Sequence, residues 1–120
     1  MTAKATVKRA DLGTGTNTNA ASRGYARGLG NADDDAGHMI GKQLGGSGGK
    51  KNVFPQDFHV NRGEFAQFEG RVADFVGLHG QADIQIKFQY KNGGTRPTKI
   101  TYTATAPDKS KIKKTFKNTH

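Results

Sequence analysis

The chain contains no cysteine, which excludes a disulfide framework and any zinc site built on thiolates. Apolar residues are scarce, at 32% of 120 residues against 17 glycines, so one domain with a modest core and much loop is expected. Acidic residues are scarce too: 10 stand against 19 Lys and Arg, for a formal net charge of +9. That excess points to a polyanionic partner, whether nucleic acid, an anionic glycan or a membrane surface. The membrane is the poorest of the three, because no long apolar segment and no amphipathic basic helix stands out, and no membrane partner is expected. The first residues, MTAKATVKRADL, are polar and hold no apolar signal core. The chain is therefore read as cytosolic, as exported by a signal encoded elsewhere, or as a piece of a larger secreted protein.

What is present is organised by period. Residues 2–8, TAKATVK, alternate small apolar with polar side chains and predict a half-buried strand. Residues 11–32 are rich in Gly, Thr and Asn and read as irregular loop. A loop of that length is expected to be functional, and it carries Arg23, Tyr25 and Arg27, side chains suited to gripping phosphate. AGHMIG (36–41) predicts a short strand, GKQLGGSGGKK (41–51) a flexible turn, and NVFPQ (52–56) a second short strand ended by Pro55. From Asn61 onward, Phe65, Phe68, Val72, Phe75 and Val76 fall at helical spacing. Asn61 is the expected N-cap, and Gly77 or Gly80 the stop. The last third returns to period two, with Ile84, Ile86, Phe88 and Tyr90, then Ile100, Tyr102 and Ala104, then the lysine-rich KIKKTFK. Turns at KNGGTRP and PDKS make this a three-stranded antiparallel meander. With no internal repeat, residues 1–120 are read as one α+β domain.

Four polar residues stand around the short hairpin and the start of the helix: His38, Asn52, Asn61 and Glu69. A histidine on a short strand, followed by a glycine loop, a second strand and a helix, is a compact way to face a base toward a metal. Each residue also has a plainer reading. A lone loop histidine is usually solvated or structural, and His59, His79 and His120 are read that way, with His79 favoured by the helix dipole. Asn61 could serve only as a cap. Asp33 and Asp34 read as an acidic turn, since they lack the alternating spacing of a calcium loop. The glycine run lacks the Gly-Lys-Ser/Thr end of a phosphate-binding P-loop. Lys109, Lys111 and Lys113 share one strand face, either as a charged edge against aggregation or as a rim for a nucleic-acid backbone.

The ordered set DAGH (35–38), LGG (44–46), NVFPQ (52–56), NRG (61–63) and Glu69 resembles the DNA/RNA non-specific endonuclease family, within the wider ββα-metal (His-Me finger) nucleases. The same spacing also resembles HNH nucleases with the last histidine replaced by Asn61. The resemblance implies a ββα-metal finger over about residues 33–79 packed against the C-terminal β-meander of about residues 83–117. It implies that His38 is the general base, that Asn61 binds a single Mg²⁺ (or another divalent cation such as Mn²⁺), and that Glu69 acts on the metal's waters. Asn52 would brace the loop, and Asp35 would fix the turn before the histidine. Better-known members carry Arg where this chain has Ala36, so a basic residue must substitute. Arg23 is the candidate, with Arg27 as its rival. Arg27, Arg62 and Lys42 are the expected contacts to the nucleic-acid backbone.

Elementary chemistry agrees with that division of labour. Phosphodiester hydrolysis needs an aligned nucleophile and relief of charge on the phosphoryl oxygens. An imidazole, with an ordinary pKa of about 6.5, suits base duty near neutral pH. Mg²⁺ keeps most of its waters, so a single protein oxygen is enough. On a continuous helix, residues 61 and 69 would be about 12 Å and about 80° apart, which suits Glu69 to a water-mediated role.

The expected function is a metal-dependent, largely sequence-nonspecific endonuclease acting on DNA, and on RNA by the family pattern, leaving 5′-phosphate and 3′-hydroxyl ends. The resemblance places such a domain among free secreted nucleases or delivered toxin modules. An acidic immunity or inhibitor protein is the expected protein partner of the latter. The competing expectation is a non-catalytic basic module that binds nucleic acid or another polyanion through a degenerate motif.

Overall fold

The computed structural model describes residues 2–118; His120 lies outside them. TAKATVK forms β1 (Thr2–Lys8), and the long segment after it is not one loop. Residues 20–29 form α1 (Ala20–Leu29). Composition pointed to loop there, yet local chemistry starts the helix: the Asn19 side chain accepts from the Ser22 amide while the Ser22 hydroxyl accepts from the Asn19 amide, both at 2.9 Å. Ser22 and Ala26, one turn apart, are the residues the helix buries, and small side chains there let α1 pack closely. Gly24 and Gly28 face open space, so the glycines that suggested loop cost helix propensity without opposing the packing.

The short hairpin comprises β2 (Asp35–His38) and β3 (Val53–Gln56), antiparallel, with Asp35 opposite Gln56 and His38 opposite Val53. The second strand does not end at Pro55; it runs one residue further, with Pro55 opposite Ala36. Between the strands, 41–51 is not a flexible turn. It holds two short 3-10 turns, Lys42–Leu44 and Lys50–Asn52, and buries Gly41, Leu44, Gly46 and Gly48.

The helix expected from Asn61 is divided. A short α2 (Phe58–Arg62) is capped by Asp57, whose carboxylate accepts from the amides of His59 and Val60 at 3.0 and 3.2 Å. Gly63 breaks the chain direction, and α3 (Glu64–His79) follows. Asn61 is thus near the end of a helix rather than its cap, and the distance argument for a continuous helix from 61 to 69 does not apply. Gly77 lies inside α3, and Gly80 stops it in the left-handed conformation at φ 85°. Phe65, Phe68, Val72 and Val76 are buried, with Phe75 partly so. Burial of each such side chain is worth about 1.5–3 kcal/mol.

β4 (Gln81–Tyr90), β5 (Pro97–Thr105) and β6 (Lys111–Lys117) form the meander, and β1 adds to its edge, giving the antiparallel order β1-β4-β5-β6. Inward residues of β4 and β5 meet α3 and the hairpin: Phe68 stacks edge-on against Tyr102, and Phe54 of β3 against Phe88 of β4. Hairpin, helix and sheet share one core. Lys109 lies in the β5–β6 turn at φ 76°, so it does not share the strand face of Lys111 and Lys113.

Candidate active site

His38 ends β2, and its Nε2 lies 2.9 Å from the carbonyl oxygen of Thr16. A carbonyl only accepts, so Nε2 donates to it, and Nδ1 is the ring nitrogen not used in that bond. Thr16 belongs to a strap, residues 13–18, sewn to the glycine loop. Gly15 donates to the Lys42 carbonyl and Thr16 to the Gly46 carbonyl, both at 3.0 Å. The Gly48 amide donates to the Thr16 hydroxyl at 2.8 Å.

Glycine is required where these segments cross. A Cβ on Gly15 would run into the Gly46 and Lys42 carbonyls, one on Gly46 into the Ile40 carbonyl, and one on Gly48 into Asn17. Gly46→Ala is expected to cost about 1–3 kcal/mol, read as a lower urea midpoint at unchanged slope. An unchanged midpoint would mean that the loop is free to move.

Asn52 closes the same loop. Its Oδ1 accepts from the Ile40 amide at 2.9 Å, and its Nδ2 donates to the carbonyls of Ile40 at 2.9 Å and Ser47 at 2.7 Å. Gly37, just before the histidine, lies under the Gln56 side chain, into which any Cβ would run.

Asn61 reaches the hairpin from α2: its Nδ2 donates to Asp35 Oδ2 at 2.9 Å. A carboxylate only accepts, so the amide nitrogen must face it, and the amide oxygen is left for another partner. Asp35 also takes a two-pronged bond from Arg62, at 2.9 and 2.8 Å. These bonds raise the Arg62 pKa further above its ordinary value. Arg62, expected on the nucleic-acid backbone, is thus committed to Asp35, although it is largely exposed.

Glu69 lies half-buried on α3 against Gly41, where a Cβ would meet its carboxylate. Burial raises its pKa from 4.5 to about 7. The buried Tyr102 hydroxyl, which has no hydrogen-bond partner among the described residues, is pushed well above the ordinary phenol value by burial and then by the Glu69 charge. Because the folded pKa is the higher one, the stabilisation tied to protonated Glu69 is full below about pH 4.5 and is lost as the pH rises through about 7. Glu69→Gln should therefore match wild type in melting temperature near pH 4.5 and exceed it above pH 7. An equal difference at both pH values would refute the buried-acid assignment.

The arginines are placed differently from one another. Arg23, exposed on α1, donates to the Thr18 carbonyl at 3.0 Å, at the end of the strap that holds His38. Arg27 donates through Nε to the Asp34 carbonyl at 3.2 Å. Ala36 and His38, two apart on β2, share a face of the hairpin, and Arg23 and Arg27, both on α1, would have to reach that face to stand in for an arginine at position 36. Lys42 is exposed on the glycine loop.

Sequence reasoning did not identify Arg96. It grips the buried Asp34 carboxylate at 2.7 and 2.9 Å and also donates to the Asn118 carbonyl. Nor did it identify Asn118, whose amide joins the Asp57 amide to the Pro55 and Pro97 carbonyls. Asp57 before an apolar pair was a legible cap signal; Thr16, Arg96 and Asn118 carry none.

Among the described residues no cluster of three or more His, Cys, Asp or Glu could hold a metal ion. The donors present are an imidazole nitrogen, an amide oxygen and a half-buried carboxyl. That set suits a hard, mostly hydrated cation held by one protein oxygen, and it does not suit a fully protein-ligated zinc.

Fold and site together define a small basic α+β domain of the nuclease class. The chain belongs to the DNA/RNA non-specific endonuclease family, whose model matches residues 2–107. It is 58% identical over 102 residues to a protein of Dickeya dadantii (strain 3937) named probable deoxyribonuclease RhsA. The match takes in 85% of this chain and 7% of that protein, so the chain corresponds to a small part of a much longer relative. Among the described residues, no helix is long and apolar enough to cross a membrane.

Proposed function

We propose that the chain is a Mg²⁺-dependent endonuclease that hydrolyses DNA phosphodiesters with little regard to sequence. The observation that supports this reading is the orientation of His38, whose Nε2 is tied to the Thr16 carbonyl, so that Nδ1 is the nitrogen that would serve as the base. His38 Nδ1 takes a proton from water as the water oxygen bonds to phosphorus. The bond from phosphorus to the 3′ oxygen breaks, that oxygen takes up a proton from solvent water, and a 5′-phosphate and a 3′-hydroxyl result. Asn61 would hold Mg²⁺ through its amide oxygen. The bound cation supplies Lewis-acid relief of charge on the phosphoryl oxygens. Asp35 fixes the Asn61 amide in the required sense, Asn52 holds the loop that follows His38, and Glu69 would act on waters around a bound ion. Arg23, with Arg27 as rival and Lys42 beside the loop, grips phosphate.

DNA is proposed because the long relative is named a deoxyribonuclease; the family description admits RNA as well. The small share of that relative's length matched here supports reading the chain as a nuclease module of a larger delivered or secreted toxin. Its +9 charge suits an acidic immunity protein as its neutralising partner.

Incubation with supercoiled plasmid tests the reading. Nicking and linearisation are expected with Mg²⁺ and should stop with EDTA. Plasmid left intact under Mg²⁺, Mn²⁺ and other divalent ions alike would leave only a polyanion-binding module.

A further inference from the structure

The sheet has a second face, turned away from α3, the hairpin and the candidate site. Alternation sends Ile84, Ile86, Phe88, Ile100 and Tyr102 into the core and their neighbours outward. The register assembles those neighbours into rows. Lys4 stands opposite Gln85, Gln85 opposite Thr103, and Thr103 opposite Lys113. The next row runs Thr2, Lys87, Thr101 and Thr115; another joins Gln89, Lys99 and Lys117. Lys4, Lys87, Lys99, Lys111, Lys113 and Lys117 are all exposed. A trough between them is lined by Gln85, Lys87, Thr101, Thr103, Lys111 and Lys113. Asp83, the acid of this face, accepts from the Thr6 hydroxyl at 2.8 Å. None of the lysines of this face forms an ion pair among the described residues.

Edge protection accounts for part of this pattern only. Lysines on β1 and β6 guard the two ends of the sheet. Lys87 and Lys99 stand on β4 and β5, the inner strands, where no edge needs guarding and lysine is a poor strand former. Strands about 4.8 Å apart, with outward residues about 6.8 Å apart along each, make the lysines a grid of point charges among hydroxyls and amides. Among the described residues, the face has no arginine, aromatic or large aliphatic side chain. Protein interfaces centre on such anchors and are depleted in lysine, whereas sequence-independent phosphate contacts need only positive charge and hydrogen-bond donors.

We infer that this outer sheet face is a second nucleic-acid-binding surface, which holds a phosphate backbone on the side of the molecule away from His38. The choice of nucleic acid rests on the nuclease reading above. The consequence is that one molecule can hold two duplex segments at once, one on each face.

The test uses the full chain carrying His38→Ala, so that the polymer stays intact, with donor- and acceptor-labelled short duplexes in excess. Energy transfer between duplexes bridged by the protein is expected. Lys87→Gln/Lys99→Gln/Lys113→Gln should abolish the transfer and lower the salt dependence of total binding by about 2–3 in log–log slope. The same three changes, made with His38 intact, should leave hydrolysis of bis(p-nitrophenyl) phosphate unchanged. Absence of bridging, or bridging that survives the triple variant, overturns the inference. So does a slowed small-substrate reaction, because the lysines would then act through the site. Poly-glutamate that displaces duplex as well as unlabelled duplex of equal charge would make this an acidic-protein surface instead. A wild-type protein that never cuts plasmid but still bridges through these lysines would overturn the nuclease reading and support this one.

Discussion

Replacing His38 with alanine is expected to slow plasmid cleavage by about 10²–10⁴-fold, the usual range for loss of a general base, with little change in folding. Two observations separate chemistry from structure here. The His38 side chain is half-buried rather than part of the core, and among the described residues its one hydrogen bond goes to the Thr16 carbonyl. Losing that bond costs about 0.5–1.5 kcal/mol, which shows as a small drop in melting temperature. The strap keeps its own backbone bonds to Lys42 and Gly46, so the loop should survive the change. Thr16 contributes only its carbonyl to the histidine, so Thr16→Ala should spare most activity while losing the bond to Gly48. Cleavage by His38→Ala at the wild-type rate would remove His38 from the mechanism, whatever the protein's activity.

The second large effect is expected at Asn61. Asn61→Ala should lower cleavage by about 10²–10³-fold, because metal relief of charge is worth several kcal/mol and each 1.36 kcal/mol is tenfold in rate. If Asn61 holds the ion, the signature is in the metal dependence: part of the loss should be recovered at high Mg²⁺, because a mostly hydrated cation would depend on that amide for only part of its binding. Asp35→Ala should do the same more weakly, by about 10–100-fold, as partners that orient a ligand do. It removes the carboxylate that turns the amide oxygen outward and frees Arg62. An Asn61→Ala variant with wild-type half-saturation in Mg²⁺ would show that the ion is bound elsewhere.

Much of the architecture could be read from the chain because it is written in local period. The stripe of Phe65, Phe68, Val72 and Val76 required a helix, and the alternation of Ile84, Ile86 and Phe88 required a strand. The ordered DAGH, NVFPQ and NRG segments and Glu69 pointed to the family that the comparison finds. The errors share a cause. Helix α1 was hidden because its glycines face open space and only two small residues are buried, so composition outweighed a cap that was nonetheless present. The glycine run looked mobile because glycine frees a chain in isolation. Here positions 46 and 48 are glycine because the carbonyls of Ile40 and Asn17 come too close for any side chain. The helix expected from Asn61 was divided by Gly63, a break that the apolar spacing alone does not register.

By itself the sequence determined the fold class, the basic character and the family, and it singled out His38, Asn52, Asn61 and Glu69 as the candidate set. These follow from short-range spacing, helix and strand periods and side-chain chemistry. Tertiary structure alone decided which nitrogen of His38 faces the Thr16 carbonyl, which way the Asn61 amide points, that Arg62 is bound to Asp35, and that Glu69 is buried enough for its pKa to rise. It also decided that β1 joins β4 and so completes the lysine-bearing face. Each of these depends on hydrogen bonds, burial or strand pairing between residues distant in sequence. Such contacts leave no periodic trace in the chain and arise only once the core has brought hairpin, helix and sheet together.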